Sequence, residues 1–103
     1  MKCIATDMDG TLLNENQRIS DENRKALEAV REMGGQVIIA TGRSYKEARL
    51  ALDEINFNCP IISMNGAAVY DQKGELLVSH PISFEELEST ITFLEKAGLY
   101  FEL

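Results

Sequence analysis

Residues 3–13, CIATDMDGTLL, run from a short apolar stretch straight into two carboxylates and a glycine. Residues 2–6 read as a first strand, which leaves Asp7, Asp9 and Gly10 at its mouth. A surface turn accounts for Asp9-Gly10, because both are common turn formers. It does not account for a second aspartate two residues earlier.

Two ion- and phosphate-binding patterns are excluded at this stretch. With Gly10 at the sharp turn of a calcium loop, Asp7 and Asp9 fall at ligand positions. The first ligand would then be Ala5 and the bidentate last one Asn16, so both ends fail. The preceding segment is also strand-like rather than helical. The pattern G-x-x-x-x-G-K-[ST] is absent, which removes the P-loop.

The rest of the chain says what kind of strand precedes Asp7. SDENRKALEAVREMGG (20–35) predicts a helix with Ser20 as N-cap, acids in its first turn and Gly34-Gly35 at its end. Ala26, Leu27, Val30 and Met33 follow helical spacing. QVIIAT (36–41) is a continuous β-branched run, as in a strand buried on both faces of a parallel sheet. Ser44 and Glu47 form a capping box for a second helix, with Ala48, Ala51, Leu52 and Ile55 inward. PIISM (60–64) is a third buried-type strand.

A β-α-β-α-β order with short connections specifies a right-handed, open parallel sheet. Sites in such sheets gather at the carboxyl ends of the strands. Three polar stretches fall at those ends: Asp7–Thr11, Thr41–Arg43 and Asn65-Gly66. They are expected to converge.

After Gly66, AAVYDQKGELLVSHPIS (67–83) predicts a hairpin turning at Gln72-Lys73-Gly74. A third helix follows, with Ser83 and Glu86 as its capping box and Phe84, Leu87, Ile91 and Leu94 on one face. Gly98 closes it, and LYFEL (99–103) reads as a further strand. The stripe on the third helix reads as core rather than as a recognition surface.

Composition bounds the partners. The 103 residues are 45% hydrophobic and 26% charged, an ordinary globular balance. A net charge of −7 argues against nucleic acid and against an anionic membrane surface. An anionic ligand would need a positive mediator, and a divalent metal is the obvious one. No apolar stretch has the length of a membrane span, and the N-terminus is too short in its apolar part for a signal peptide. Cys3 and Cys59 lie far apart and read as reduced, buried, strand-associated thiols of a cytoplasmic protein. The single His80 reads as a surface or hairpin residue.

In that setting the paired acids acquire a chemical reading. A carboxylate at the end of a buried strand can attack a phosphoryl group and form an aspartyl-phosphate. A second carboxylate can protonate the leaving oxygen and then deprotonate the hydrolytic water. Met8 offers a backbone N–H, Gly10 permits the turn, and Thr41 brings a hydroxyl to the same place.

DMDGTLL, IIATGR and SMNGA together resemble the haloacid dehalogenase (HAD) superfamily of phosphatases, and more narrowly its Cof-type branch with a large α/β cap. The resemblance spans the whole chain. It implies an α/β fold: part of a Rossmann-like, parallel three-layer sandwich over residues 1–66, with the start of the cap over 67–103. It also implies Asp7 as nucleophile and Mg²⁺ ligand, and Asp9 as general acid/base whose carbonyl reaches the metal. Met8, Thr41 and Gly42 would hold phosphate. Arg43 and Asn65 would face the substrate or hold the loops together.

Family members continue beyond this point, and the continuation supplies a phosphate-binding lysine and an acidic pair for the metal. Neither Lys46 nor Lys73 matches that lysine. The expectation is therefore an N-terminal portion of a longer enzyme. In the family's strand order the first strand is central, so KCIAT would present an open apolar edge prone to self-association or exchange. Two function classes result. One is a Mg²⁺-dependent phosphatase of small phosphorylated metabolites, such as sugar phosphates or phosphorylated cofactors, with reduced or no activity here. The other is a non-catalytic chain that self-associates or binds a partner.

Overall fold

The computed structural model describes residues 2–102. Its elements are β1 (Cys3–Thr6), α1 (Asp21–Glu32), β2 (Gln36–Ala40), α2 (Tyr45–Glu54), β3 (Ile61–Ser63), β4 (Ala68–Tyr70), β5 (Leu76–Ser79) and α3 (Phe84–Lys96). The five strands form one sheet in the order β1-β2-β3-β4-β5. β1 to β3 are parallel, with Ile4 beside Val37, Thr6 beside Ile39 and Ile39 beside Ile61. The hairpin β4–β5 is antiparallel and continues the same sheet, Tyr70 pairing with Ile61.

The helices begin where their caps dictate. Ser20 Oγ accepts the Asn23 N–H at 3.1 Å, and complete capping boxes open α2 and α3 at Ser44/Glu47 and Ser83/Glu86. The Asn23 side chain donates to the Leu12 carbonyl at 3.0 Å, tying α1 to the segment that carries the two aspartates. The hairpin turns where expected: Asp71 accepts the Lys73 and Glu75 N–H groups, and Gly74 takes φ 86°.

The core lies on one face of the sheet. Val37, Ile39 and Ile61 pack with Leu27 of α1 and with Ala48, Ala51 and Leu52 of α2. Met8, Leu12, Leu13, Ile19 and Phe57 complete it. Burying each large apolar side chain contributes about 1.5–3 kcal/mol, so this cluster fixes where the loops stand. Tyr45 of α2 stacks on Tyr70 with ring centroids 4.1 Å apart and joins the hairpin to the same layer. On the opposite face Ala5, Ile38, Ala40 and Ile62 all keep solvent exposure.

Three expectations are corrected. LYFEL forms no strand over Leu99–Glu102, and Leu103 lies outside the described residues. A strand needs a partner edge, and none of the five strands pairs with this segment. Cys3 is exposed, not buried, because it lies on the edge strand β1; Cys59 is buried as expected. Met33, just past the helix end at Glu32, keeps helical spacing with Leu27 and Val30 and is 80% exposed, which no expectation addressed. No residue of the α3 stripe is buried, and Phe84 is 78% exposed. The molecule is accordingly elongated, 53 × 30 × 19 Å, with a radius of gyration of 16.7 Å. A compact chain of this length has about 13 Å.

Candidate active site

Asp7, Asp9, Thr41, Gly42 and Asn65 line one open cavity of about 590 Å³ at the carboxyl ends of β1, β2 and β3. The three loops expected to converge do so. Gly66, Ala40 and Ile62 complete the lining.

Asp7 follows β1 in an extended conformation, and its Oδ1 accepts the Met8 N–H at 2.7 Å. The Met8 side chain points the other way and is fully buried, anchoring the loop in the core. Asp9 is extended as well, and Gly10 takes φ 72°, a left-handed turn that favours glycine. The turn closes when Leu13 donates its N–H to the Met8 carbonyl at 2.9 Å. Short apolar anchors on both sides thus hold two carboxylates at the surface.

The second loop is held through its backbone. Thr41 is buried, and its N–H donates to the Ile62 carbonyl at 2.9 Å. Its Oγ1 accepts the Arg43 N–H at 3.1 Å, and its carbonyl accepts the Asn65 N–H at 3.1 Å. A Cβ at Gly42 would lie 3.1 Å from Asn65 Oδ1, so the second and third loops meet where only glycine fits without adjustment. The third loop is strained: Met64 and Asn65 both hold left-handed φ values, 50° and 55°. Asn tolerates this conformation; Met does so because its N–H is fixed to the Arg43 carbonyl at 2.9 Å.

Arg43 crosses the site. Its guanidinium forks onto the Asp9 carboxylate, at 2.8 and 2.7 Å, and also donates to Gln17 Oε1. The hydrogen-bonded guanidinium holds the Asp9 carboxyl below the ordinary carboxylate range, and Asp9 in turn raises Arg43. Gln17 was not legible as part of this site. It lies in the connection after β1, beside the Leu13–Ile19 bridge, with only its position there to mark it.

The donor set available to a cation is oxygen-only: the Asp7 and Asp9 carboxylates and the loop carbonyls. Among the described residues no group of three or more His, Cys, Asp or Glu side chains converges. The oxygen-only donor set suits a hard ion such as Mg²⁺. Among the described residues no helix is long and apolar enough to cross a membrane.

A family model described as haloacid dehalogenase-like hydrolase matches residues 4–103. Among curated proteins, the chain is 33% identical to the phosphatase YwpJ of Bacillus subtilis, over all of this chain and 36% of that one. It is 39% identical to the 5-amino-6-(5-phospho-D-ribitylamino)uracil phosphatase YwtE of the same organism, over all of this chain and 35% of that one. Among solved structures, a haloacid dehalogenase-like hydrolase from B. subtilis superposes with a TM-score of 0.88 at 33% identity, over 95% of this chain and 34% of the other. A Thermotoga maritima protein gives 0.78 at 27% identity, over 93% and 36%. The chain thus spans little more than a third of the length of these relatives.

Proposed function

The chain belongs to the haloacid dehalogenase-like hydrolases, and on that premise we propose that its cavity is the nucleophile half of a Mg²⁺-dependent phosphatase site for small phosphomonoesters. The observation that carries this reading is the common cavity of Asp7, Thr41, Gly42 and Asn65 at three parallel strand ends.

Asp7 is the nucleophile: one carboxylate oxygen attacks phosphorus in line with the leaving oxygen, forming an aspartyl-phosphate. Asp9 protonates the leaving oxygen, then takes a proton from the water that attacks the intermediate. The Met8 N–H, released from Asp7 Oδ1, and the Thr41 hydroxyl with the Gly42 backbone stabilise charge on the equatorial oxygens. Asn65 and Arg43 hold the loops in register. The Asp7 carboxylate and the Asp9 carbonyl would hold Mg²⁺, which would supply the charge neutralisation that lets an anionic ester approach a carboxylate.

The substrate class is a small phosphorylated metabolite. The name of YwtE adds one candidate, a phosphorylated ribitylaminouracil. Beryllium fluoride with Mg²⁺, read by ¹⁹F NMR, tests the nucleophile as an acyl-phosphate mimic on Asp7. An adduct lost in Asp7→Asn, together with phosphate release from sugar phosphates or the ribitylaminouracil phosphate, is the expected result. Neither adduct nor release would leave the second reading, a non-catalytic chain. That reading is favoured by one observation: Arg43 already occupies the Asp9 carboxylate.

A further inference from the structure

We propose that Gln17 is a positioning residue that parks the Arg43 side chain on Asp9, so that this carboxylate stays covered until an oxyanion in the cavity draws the guanidinium away. It rests on the role of Asp9 as acid/base given above, and adds to that role a residue of the connection after β1. Every contact it uses lies between Asp9 and Met64.

Gln17 is held in a conformation that few residues adopt. Its φ is 60°, a left-handed value that glycine, asparagine and aspartate take more readily. The turn around it is closed by hydrogen bonds. Asn14 Oδ1 accepts the N–H groups of Asn16 and Arg18 at 2.9 and 3.1 Å, and Gln17 donates its N–H to the Asn14 carbonyl at 3.0 Å. Leu13 and Ile19, bridged and buried, fasten both ends to the core. None of these contacts uses the Gln17 side chain, whose Oε1 accepts from Arg43 Nη2. Backbone strain of this kind clusters at functional sites, where the surroundings over-determine it.

Arg43 is the residue that joins the three loops. Its N–H donates to Thr41 Oγ1 at 3.1 Å and its carbonyl accepts the Met64 N–H at 2.9 Å, so its backbone is fixed on both sides. Nε and Nη2 then fork onto Asp9 at 2.8 and 2.7 Å. Nη2 thus serves Asp9 and Gln17 together, and Gln17 sets where the fork stands. The nearby Glu47 carboxylate does not compete, because it accepts the Ser44 N–H and hydroxyl at 2.9 and 2.7 Å. Among the described residues Arg43 Nη1 has no hydrogen-bond partner, which leaves a donor for an anion. Asp9 lines the same cavity as Asp7, Thr41 and Gly42. A phosphoryl group there competes with Asp9 for the guanidinium, since both offer paired oxygens that match its fork. A neutral acceptor at position 17 orients Arg43 without adding a charge that would hold it against the anion.

Titration of the 103-residue chain with inorganic phosphate, read at the Arg43 Nε–H group by ¹⁵N NMR, tests the proposal. Phosphate should displace the Arg43 Nε–H resonance. Gln17→Met, which removes the acceptor at similar length, should speed exchange of that proton about fivefold, the weight of one hydrogen bond. It should raise phosphate affinity by up to about the same factor, because less of the chain is held closed. Gln17→Gly should do the same without lowering the urea midpoint, since glycine relieves the left-handed residue. Gln17→Glu keeps the acceptor and should retain slow exchange. Exchange and phosphate affinity at parent values in both Gln17→Met and Gln17→Gly would overturn the proposal. So would phosphate binding that leaves Arg43 undisturbed. The beryllium fluoride adduct keeps the two readings apart. An adduct on Asp7 with unaltered exchange in these variants would sink the positioning role alone. Faster exchange with no adduct would support the positioning role and remove the phosphatase reading alone.

Discussion

Arg43 and Asp9, thirty-four residues apart in sequence, form a two-pronged ion pair at 2.8 and 2.7 Å, and the Asp9 it engages lines the cavity. A side chain expected to touch substrate or loop therefore touches the proposed acid/base. The pair keeps Asp9 ionised, whereas protonating a leaving oxygen requires it to carry a proton. Catalysis at this site would thus require the fork to open when an anionic substrate offers Arg43 another partner.

The first prediction concerns this pair. Asp9 is held below its ordinary value chiefly by the hydrogen-bonded Arg43. A carboxyl depressed in the folded state adds stability above its unfolded value. That stability is lost as pH falls through the folded value. Arg43→Met should raise the Asp9 titration midpoint, followed by carboxyl-carbon NMR, and flatten the acid limb of stability against pH. An unmoved midpoint would show that the fork is not populated in solution.

The second prediction tests the contact between the second and third loops. A Cβ at position 42 would stand 3.1 Å from Asn65 Oδ1. Gly42→Ala should displace the Asn65 side-chain amide resonances and cost about 1 kcal/mol in urea unfolding, as small overpacking does. It should also lower beryllium fluoride occupancy at Asp7. Unchanged Asn65 resonances would remove the contact from the account.

The convergence of the three loops was legible because it follows from parallel-strand topology, which periodicity and capping residues specify locally. Ser44 with Glu47, and the β-branched run at 36–41, required no tertiary information. The Arg43–Asp9 fork was not legible, since nothing local distinguishes a guanidinium that faces a ligand from one that faces a carboxylate. Cys3 and the α3 stripe misled for a related reason. Spacing and apolar character give the face of an element, but burial requires something to lie against that face.

The third prediction uses that distinction. Leu52 is fully buried between α2 and the sheet, whereas Met33 keeps the helical pattern and stays exposed. Leu52→Ala should cost about 3 kcal/mol, a transfer and cavity loss. Met33→Ala should stay within about 0.5 kcal/mol. Equal losses in denaturant titrations would mean that Met33 is covered in solution.

The fourth prediction separates the thiols. Cys3 is exposed and Cys59 is buried, with burial pushing the Cys59 thiol from 9.0 up to about 11. A disulfide reagent at neutral pH should modify Cys3 quickly and Cys59 only on unfolding, because the thiolate is the reactive form. The raised value also carries a sign for stability. The neutral Cys59 thiol is compatible with burial, so its contribution is intact below pH 9. It is then lost as pH rises toward about 11, because the unfolded chain ionises first. Cys59→Ala should therefore lessen the alkaline fall in stability over that window relative to the parent chain. Cys3→Ala should leave it unchanged. Equal alkaline slopes in the parent and Cys59→Ala would place the Cys59 thiol in contact with water.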